Sequence, residues 1–162
     1  YQFKGYWKDV GTVTSLWEAN MDLLGVNPAI DLGDREMHVY SRNEPLPPSY
    51  LGADAHVVNS IYTAGCEING TVINSVLSEN VTIGSGAVVR NSVIMRGTVV
   101  GDGATVDYGI VDENVKIGKN AVVGDEKSDK TRIALIGRGT VIADGARVAS
   151  GEIVEKKQEG TL

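Results

Sequence analysis

The chain has 162 residues, one cysteine and a formal net charge of −6 at pH 7. This length suits one domain, or one domain with part of another. The negative charge disfavours a surface for nucleic acid or anionic membrane, since both carry phosphate charge that repels an acidic protein. A single cysteine excludes an intrachain disulfide. Free thiols are typical of reducing compartments, so we expect a cytoplasmic protein with neither a nucleic-acid nor a membrane partner.

The N-terminal segment, residues 1–30, contains both tryptophans. Its opening, YQFKGYW, predicts a strand because aromatic and polar residues alternate. The next hydrophobic residues recur near the helical period of 3.6 and predict a helix: Val13, Leu16, Trp17, Met21 and Leu24. Thr12 can cap its first turn, and Gly25 and Pro28 are expected to end it. The chain opens at Tyr1 inside a strand-like run, so we expect a piece of a longer protein.

Residues 31–56 form a predicted connector. The stretch SRNEPLPPSYLG contains three of the four prolines. Proline removes a backbone donor and disfavours helix in the residue before it. The connector is therefore predicted to run extended over a surface.

From about residue 57 the chain repeats. SVLSENVTIGSGAVVRN (75–91), SVIMRGTVVGDGATVDY (92–108) and GIVDENVKIGKNAVVGD (109–125) align without a gap, a period of 17. Aliphatic residues open three faces of 6, 6 and 5 residues in each repeat: Leu77, Ile94 and Val111; Ile83, Val100 and Ile117; Val89, Val106 and Val123. A period of six fits neither a hairpin sheet nor a helix.

A chain that turns a corner every six residues closes a triangular coil, and stacked coils form three parallel sheets. The predicted fold class is therefore mainly β, a parallel β-helix of hexapeptide repeats over residues 57–162. Such hexapeptide coils usually wind left-handed. A weaker coil at 60–74 and another after a charged surface excursion, 124–134, bring the predicted number to five or six.

Three finer expectations follow from the repeat. A small or β-branched residue stands four positions after each opener and forms a second column. Val93 and Ile110, four positions after Val89 and Val106, are assigned to this column. Cys66 falls on an inner column and is predicted to be core. A glycine follows the opener of the second face in each repeat, where it can adopt a turn conformation with positive φ at little cost: Gly84, Gly101 and Gly118.

Hexapeptide β-helices occur as acyltransferases, which usually use a histidine base, or as appendages that assemble or regulate a catalytic domain. The only histidines are His38 and His56, and neither falls within a clear coil. A general base must reach the proton that it removes, so the acyltransferase reading lacks its chemistry here. A free-standing hexapeptide acyltransferase remains the alternative function.

The repeat region also carries arginines that could bind an anion. The ordinary explanation is a solvated face, but arginine pairs well with phosphate. The candidate ligands for a phosphorylated metabolite effector are Arg90, Arg96, Arg132 and Arg138.

Asp9 stands where the predicted N-terminal strand meets a turn. A carboxylate at such a place can hold a divalent metal. Alternatively, it only caps the turn. The residue types alone leave both roles open.

The phrase GYWKDVGTVTSLWEANMDLL (5–24), the proline-rich connector and the hexapeptides together resemble the bacterial ADP-glucose pyrophosphorylases, or glucose-1-phosphate adenylyltransferases. The resemblance implies that residues 1–30 are the C-terminal tail of an α/β nucleotidyltransferase domain and that Asp9 helps to bind Mg²⁺. It further implies a parent enzyme that makes ADP-glucose and pyrophosphate from ATP and glucose 1-phosphate in glycogen biosynthesis. Residues 57–162 would be its regulatory and oligomerisation domain, within an allosteric homotetramer.

The sequence departs from the family in one respect. The glycine-rich nucleotide loop of GGxGxRLxPLT type is absent from these residues. We therefore expect the chain by itself to be inactive and to hold no cofactor. The parent protein is either the catalytic enzyme or a non-catalytic regulatory paralogue.

Overall fold

The computed structural model describes residues 2–34, 36, 45–125, 129–130 and 132–155. These residues form one helix, α1 (Val13–Met21), and eighteen short strands, numbered in chain order. The first sheet contains β1 (Tyr50–Leu51), β4 (Glu67–Ile68), β7 (Thr82–Ile83), β10 (Val99–Val100), β13 (Lys116–Ile117) and β16 (Val141–Ile142). The second contains β2 (His56–Val58), β5 (Thr71–Ile73), β8 (Val88–Arg90), β11 (Thr105–Asp107), β14 (Val122–Gly124) and β17 (Arg147–Val148). The third contains β3 (Ile61–Tyr62), β6 (Val76–Leu77), β9 (Val93–Ile94), β12 (Gly109–Val111), β15 (Ala134–Ile136) and β18 (Ile153–Val154).

Each strand pairs in parallel with its equivalent in the next coil. Val100, for example, lies opposite Ile83 on one side and Ile117 on the other. Three sheets of six strands make six coils, which confirms the predicted parallel β-helix and matches a left-handed helix of hexapeptide repeats.

The β-helix begins earlier than predicted. β1 and β2 pair with β4 and β5, so residues 50–56 belong to the first coil rather than to the connector. The prolines of the connector precede β1, but Pro47 already bonds to the next coil, because its carbonyl accepts a hydrogen bond from Gly65 N at 2.9 Å.

The predicted openers fill the interior, and most of them are fully buried. The second inner residue of each face lies two positions before the next opener, as at Ala87 and Ser92. Val93 was therefore wrongly assigned to that column, as was Ile110. Strand side chains alternate between faces, so the neighbour of an inward opener points outward. Both residues are nevertheless buried, because α1 covers them.

The corners use a different device from the one predicted. Gly84, Gly101 and Gly118 do not have positive φ angles; several asparagines and other glycines do, among them Asn80, with φ of 56°. Gly101 is instead required by close stacking. A Cβ built there would lie 2.9 Å from the carbonyl oxygen of Ile117 on the next coil.

The N-terminal segment is only partly as predicted. Residues 2–7 form no strand, so that prediction is wrong; a short extended segment is not a strand without a neighbour to complete its hydrogen bonds. The helix is confirmed. Thr12 caps it through a reciprocal capping box with Ser15. It ends at its cap Asp22, so Leu24 lies beyond it.

Candidate functional site

Helix α1 lies on the outer face of the third sheet and is anchored by Trp17. This side chain is 8% exposed, whereas Trp7 is 77% exposed. The Trp17 Nε1 donates a hydrogen bond to the Asn91 carbonyl at 2.7 Å. Its ring stacks on Tyr108 with the centroids 5.6 Å apart. The N-terminal segment and the β-helix are thus joined at a buried, hydrogen-bonded contact.

The hydrophobic part of this junction is continuous along the third sheet. Val93 and Ile110, on adjacent coils, pack with Trp17 and Ile133 in a buried cluster separate from the β-helix interior. Partly buried hydrophobic side chains from α1 and the coils surround that cluster: Val13, Leu16, Met21, Met95, Tyr108 and Leu135. Outward-facing β-branched residues that a lone β-helix would leave in water are therefore covered.

Beside α1, a ladder of side-chain amides runs along the corner between the second and third sheets. Asn59 Nδ2 donates to Asn74 Oδ1 at 2.8 Å, and Asn74 Nδ2 donates to Asn91 Oδ1 at 3.0 Å. All three residues have positive φ angles, which asparagine tolerates better than most residues. The asparagines thus turn the corner and connect the coils.

The ladder ends at an ion pair. Asn91 Nδ2 donates to Asp107 Oδ1 at 3.2 Å, and Arg90 Nε donates to Asp107 Oδ2 at 2.9 Å. Asp107 is 2% exposed, so its charge is compensated by these donors rather than by water. Arg90, a predicted effector ligand, is therefore already engaged by a carboxylate of the next coil.

Two other predicted effector arginines also pair with carboxylates. Arg138 Nη2 lies 2.7 Å from Glu113 Oε2, and Arg96 Nε lies 3.6 Å from Glu79 Oε2. Each pair joins adjacent coils, as Arg90 and Asp107 do. The solvated-face explanation fits these contacts.

Arg132 lies elsewhere, in a groove near the last coils. This groove of about 390 Å³ is lined by Val122, Gly124, Asp125, Arg132, Arg147, Val148, Ala149, Ser150 and Glu152. Arg132 Nη2 donates to the Ser150 carbonyl at 3.4 Å. The sequence reading missed Arg147, although it stands just before the opener Val148 and alternation would have placed it outward. Arg132 and Arg147 thus line the same groove.

Asp9 is exposed, and its Oδ1 accepts a hydrogen bond from Gly11 N at 3.0 Å. That contact is the turn-capping role. No group of three or more histidine, cysteine, aspartate or glutamate residues in the described part of the chain could hold a metal ion. Mg²⁺ demands near-octahedral oxygen coordination, so Asp9 and its described neighbours do not by themselves make a magnesium site.

Charged contacts tie the segment before Asp9 to α1. Lys8 Nζ lies 2.7 Å from Asp22 Oδ2 and 3.5 Å from Glu18 Oε2. The hydrogen bond from Lys8 lowers the pKa of Asp22, and the same bond raises the pKa of Lys8. Glu18 also meets Lys130 of the excursion at 2.8 Å, and this hydrogen bond is the main reason why its pKa is lowered.

The remaining candidate groups offer little chemistry. His56 lies in β2, contrary to its predicted place outside the coils, and is exposed. It lines neither the arginine groove nor a second cavity beside Leu23, Val26 and Ile61. His38 falls outside the described residues. Cys66 is core as predicted, and burial raises the pKa of its thiol.

Comparison with known proteins adds a family and several relatives. A family model described as GlmU-like, C-terminal hexapeptide matches residues 49–143. Glucose-1-phosphate adenylyltransferases from Geobacillus stearothermophilus and Clostridium beijerinckii are 56% and 52% identical to the chain over 90 residues. The shared region is 56% of this chain but only 23% of each relative's length. Within the described residues, no helix is long and apolar enough to cross a membrane.

Proposed function

The chain belongs to the GlmU-like, C-terminal hexapeptide family, and from this premise we propose that it is the regulatory and assembly portion of a glucose-1-phosphate adenylyltransferase. The parent enzyme would make ADP-glucose and pyrophosphate from ATP and glucose 1-phosphate, for glycogen biosynthesis in the cytoplasm. The observation that carries the proposal is the identity of 48–56% with relatives of that name. The 162-residue chain alone would be inactive.

The reaction needs groups that this chain does not supply. In nucleotidyl transfer, positioning and charge neutralisation lower the barrier as the sugar phosphate attacks the α-phosphorus of ATP. Mg²⁺ would neutralise phosphate charge, with Asp9 contributing one carboxylate ligand beside others from the rest of the parent protein. Gly11 N donates a hydrogen bond to this carboxylate within the turn that precedes α1.

For the effector, we propose the groove that holds Arg132 and Arg147. Two guanidinium groups can each donate paired hydrogen bonds to one phosphate. Asp125 and Glu152 at the same groove would disfavour simple anions and select a ligand that also has donor groups, such as a phosphorylated sugar. Arg90, Arg96 and Arg138 would then serve the coils, through their carboxylate partners.

Assembly would use the faces of the β-helix. Its three parallel sheets present a repeating outer surface, so the same face of another subunit can meet it symmetrically. We propose a homotetramer of the parent protein, with the β-helix contributing to its contacts.

The deciding experiment assays the complete native polypeptide with ATP, glucose 1-phosphate and Mg²⁺ and measures pyrophosphate release. Formation of ADP-glucose supports the proposal. An inactive complete protein that assembles with an active homologue would identify a regulatory paralogue. Acetyl-CoA binding without ADP-glucose synthesis would refute the proposal in favour of an acyltransferase.

The effector groove is tested in the same assay. Among phosphorylated sugars tested as a panel, any that changes the activity of the native protein should lose that effect by at least tenfold in Arg132→Gln and in Arg147→Gln. Arg138→Gln is the matched control, since Arg138 pairs with Glu113 outside the groove. An equal effect of all three substitutions would contradict the assignment.

A further inference from the structure

Tyr108 stands at a corner where the preceding coils carry asparagine. Its φ is 49°, close to the 47° of Asn91 and the 48° of Asn74. A non-glycine residue rarely adopts this conformation, and asparagine does so at lower cost than tyrosine. Persistent strain of this kind is maintained by its surroundings and marks positions with a role beyond the local turn.

The contact that Tyr108 makes suggests that role. Its ring stacks on Trp17, and the backbone carbonyl of Asn91, one coil away, accepts the Trp17 indole hydrogen bond. Two adjacent corners thus contact the Trp17 side chain: Tyr108 stacks on the face of its ring, and Asn91 accepts the hydrogen bond from its indole nitrogen. An asparagine at 108 would continue the ladder but would offer no ring to stack on.

The Asp9 turn is tied to α1 on both of its sides. After it, Asp9 Oδ1 accepts from Gly11 N, and Thr12 then caps the helix through Ser15. Before it, Lys8 is bonded to Asp22 at the far end of α1. The position of the Asp9 carboxylate on the β-helix therefore follows from the position of α1.

We propose that Tyr108 is a positioning residue, which, with the Asn91 carbonyl, fixes α1 on the β-helix and thereby places Asp9 for metal-dependent nucleotidyl transfer. The catalytic part of this inference rests on the proposed function. The docking part stands on the contacts of Trp17 alone. The strained corner is explained as the cost of presenting an aromatic ring to the helix.

The docking part is tested on the 162-residue chain by tryptophan fluorescence. A Trp7→Phe background removes the exposed indole, so that Trp17 alone reports. In that background, Tyr108→Asn should shift the emission to longer wavelength and raise acrylamide quenching about threefold. The far-ultraviolet circular dichroism should stay unchanged, because asparagine suits the corner. Tyr108→Phe keeps the ring and should behave as the parent chain does.

Asn120→Gly is the matched control for altering a strained corner. Asn120 also has a positive φ, 54°, but lies between β13 and β14, on the corner away from the third sheet. It should leave the Trp17 emission unchanged. The docking role is overturned if Tyr108→Asn also leaves Trp17 buried, or if Asn120→Gly exposes Trp17 equally.

The positioning part is tested in the complete native polypeptide by titrating Mg²⁺. Tyr108→Asn should raise the Mg²⁺ concentration for half-maximal ADP-glucose synthesis at least fivefold, and Tyr108→Phe should restore the native value. If the native protein is active and Tyr108→Asn leaves this concentration unchanged, the positioning role is wrong and the proposed function stands. If the native protein makes no ADP-glucose, the proposed function and the positioning role fail together, and the fluorescence result still decides the docking.

Discussion

Thr98 and Thr140 occupy the same interior column, separated by the coil of Val115, yet their hydroxyl groups have opposite surroundings. Thr98 is fully buried; its Oγ1 donates to the Asp112 carbonyl at 2.7 Å and accepts from Val115 N at 3.3 Å. Thr140 is 5% exposed, and its Oγ1 has no hydrogen-bond partner among the described residues. The same substitution, threonine to valine, should therefore have opposite effects at the two positions.

The magnitudes follow from these contacts. Thr98→Val removes two hydrogen bonds and leaves a buried carbonyl and an amide without that partner, which we expect to cost about 1–2 kcal/mol. Thr140→Val removes the desolvation cost of an unpaired hydroxyl, about 1–3 kcal/mol in protein mutants. It also places a methyl group in a nearly buried site. We expect a net gain of about 1 kcal/mol, because the slight exposure of Thr140 reduces both terms.

Urea unfolding and thermal unfolding, each followed by circular dichroism, measure both effects. For a chain of this size, each kcal/mol should move the thermal midpoint by about 2–4 °C. The two sites lie about 10 Å apart across two strand spacings. Their effects should therefore add in the double variant. The reasoning is refuted if Thr140→Val destabilises the chain, or if both substitutions change its stability in the same direction.

Three further predictions concern stacking, charge and the buried thiol. Gly101→Ala should destabilise the β-helix by more than about 1 kcal/mol, since the new Cβ would lie 2.9 Å from a backbone oxygen of the next coil; an unchanged urea midpoint would contradict the stacking argument. The pKa of Asp22 is lowered in the folded chain by Lys8, so its contribution is complete above the unfolded pKa and is lost as the pH falls through the lower, folded pKa. Stability measured between pH 6 and pH 2 should accordingly fall at the acidic end, and Lys8→Met should flatten that fall. Cys66 should not react with a thiol reagent such as Ellman's at pH 8 until the chain is unfolded, because it is buried and burial raises its pKa; fast labelling of the native chain would show that the first coils open.

The 17-residue period was enough to determine the architecture. Each coil repeats the same corner geometry, and each aliphatic opener packs on its equivalents, so the pattern that sequence displays is also the pattern of burial. Leu77, Ile94 and Val111 are all fully buried, as their spacing predicted. The capping of α1 by Thr12 could also be predicted from the sequence, because a helix cap depends on residues only three positions apart.

What lies outside the coils was decided by tertiary contacts. The sequence could not show that α1 covers Val93, or that Trp17 docks while Trp7 stays exposed, because the docking joins residues far apart in the chain, as in the 74-residue separation of Trp17 and Asn91. Arg90 was offered as a free cation, but Asp107 follows it by one 17-residue period and lies 2.9 Å away on the next coil, so the repeat itself could have predicted this pair. A repeat fixes what each residue meets one coil away in its own column. Which outer surface a helix covers depends on packing between segments that share no period.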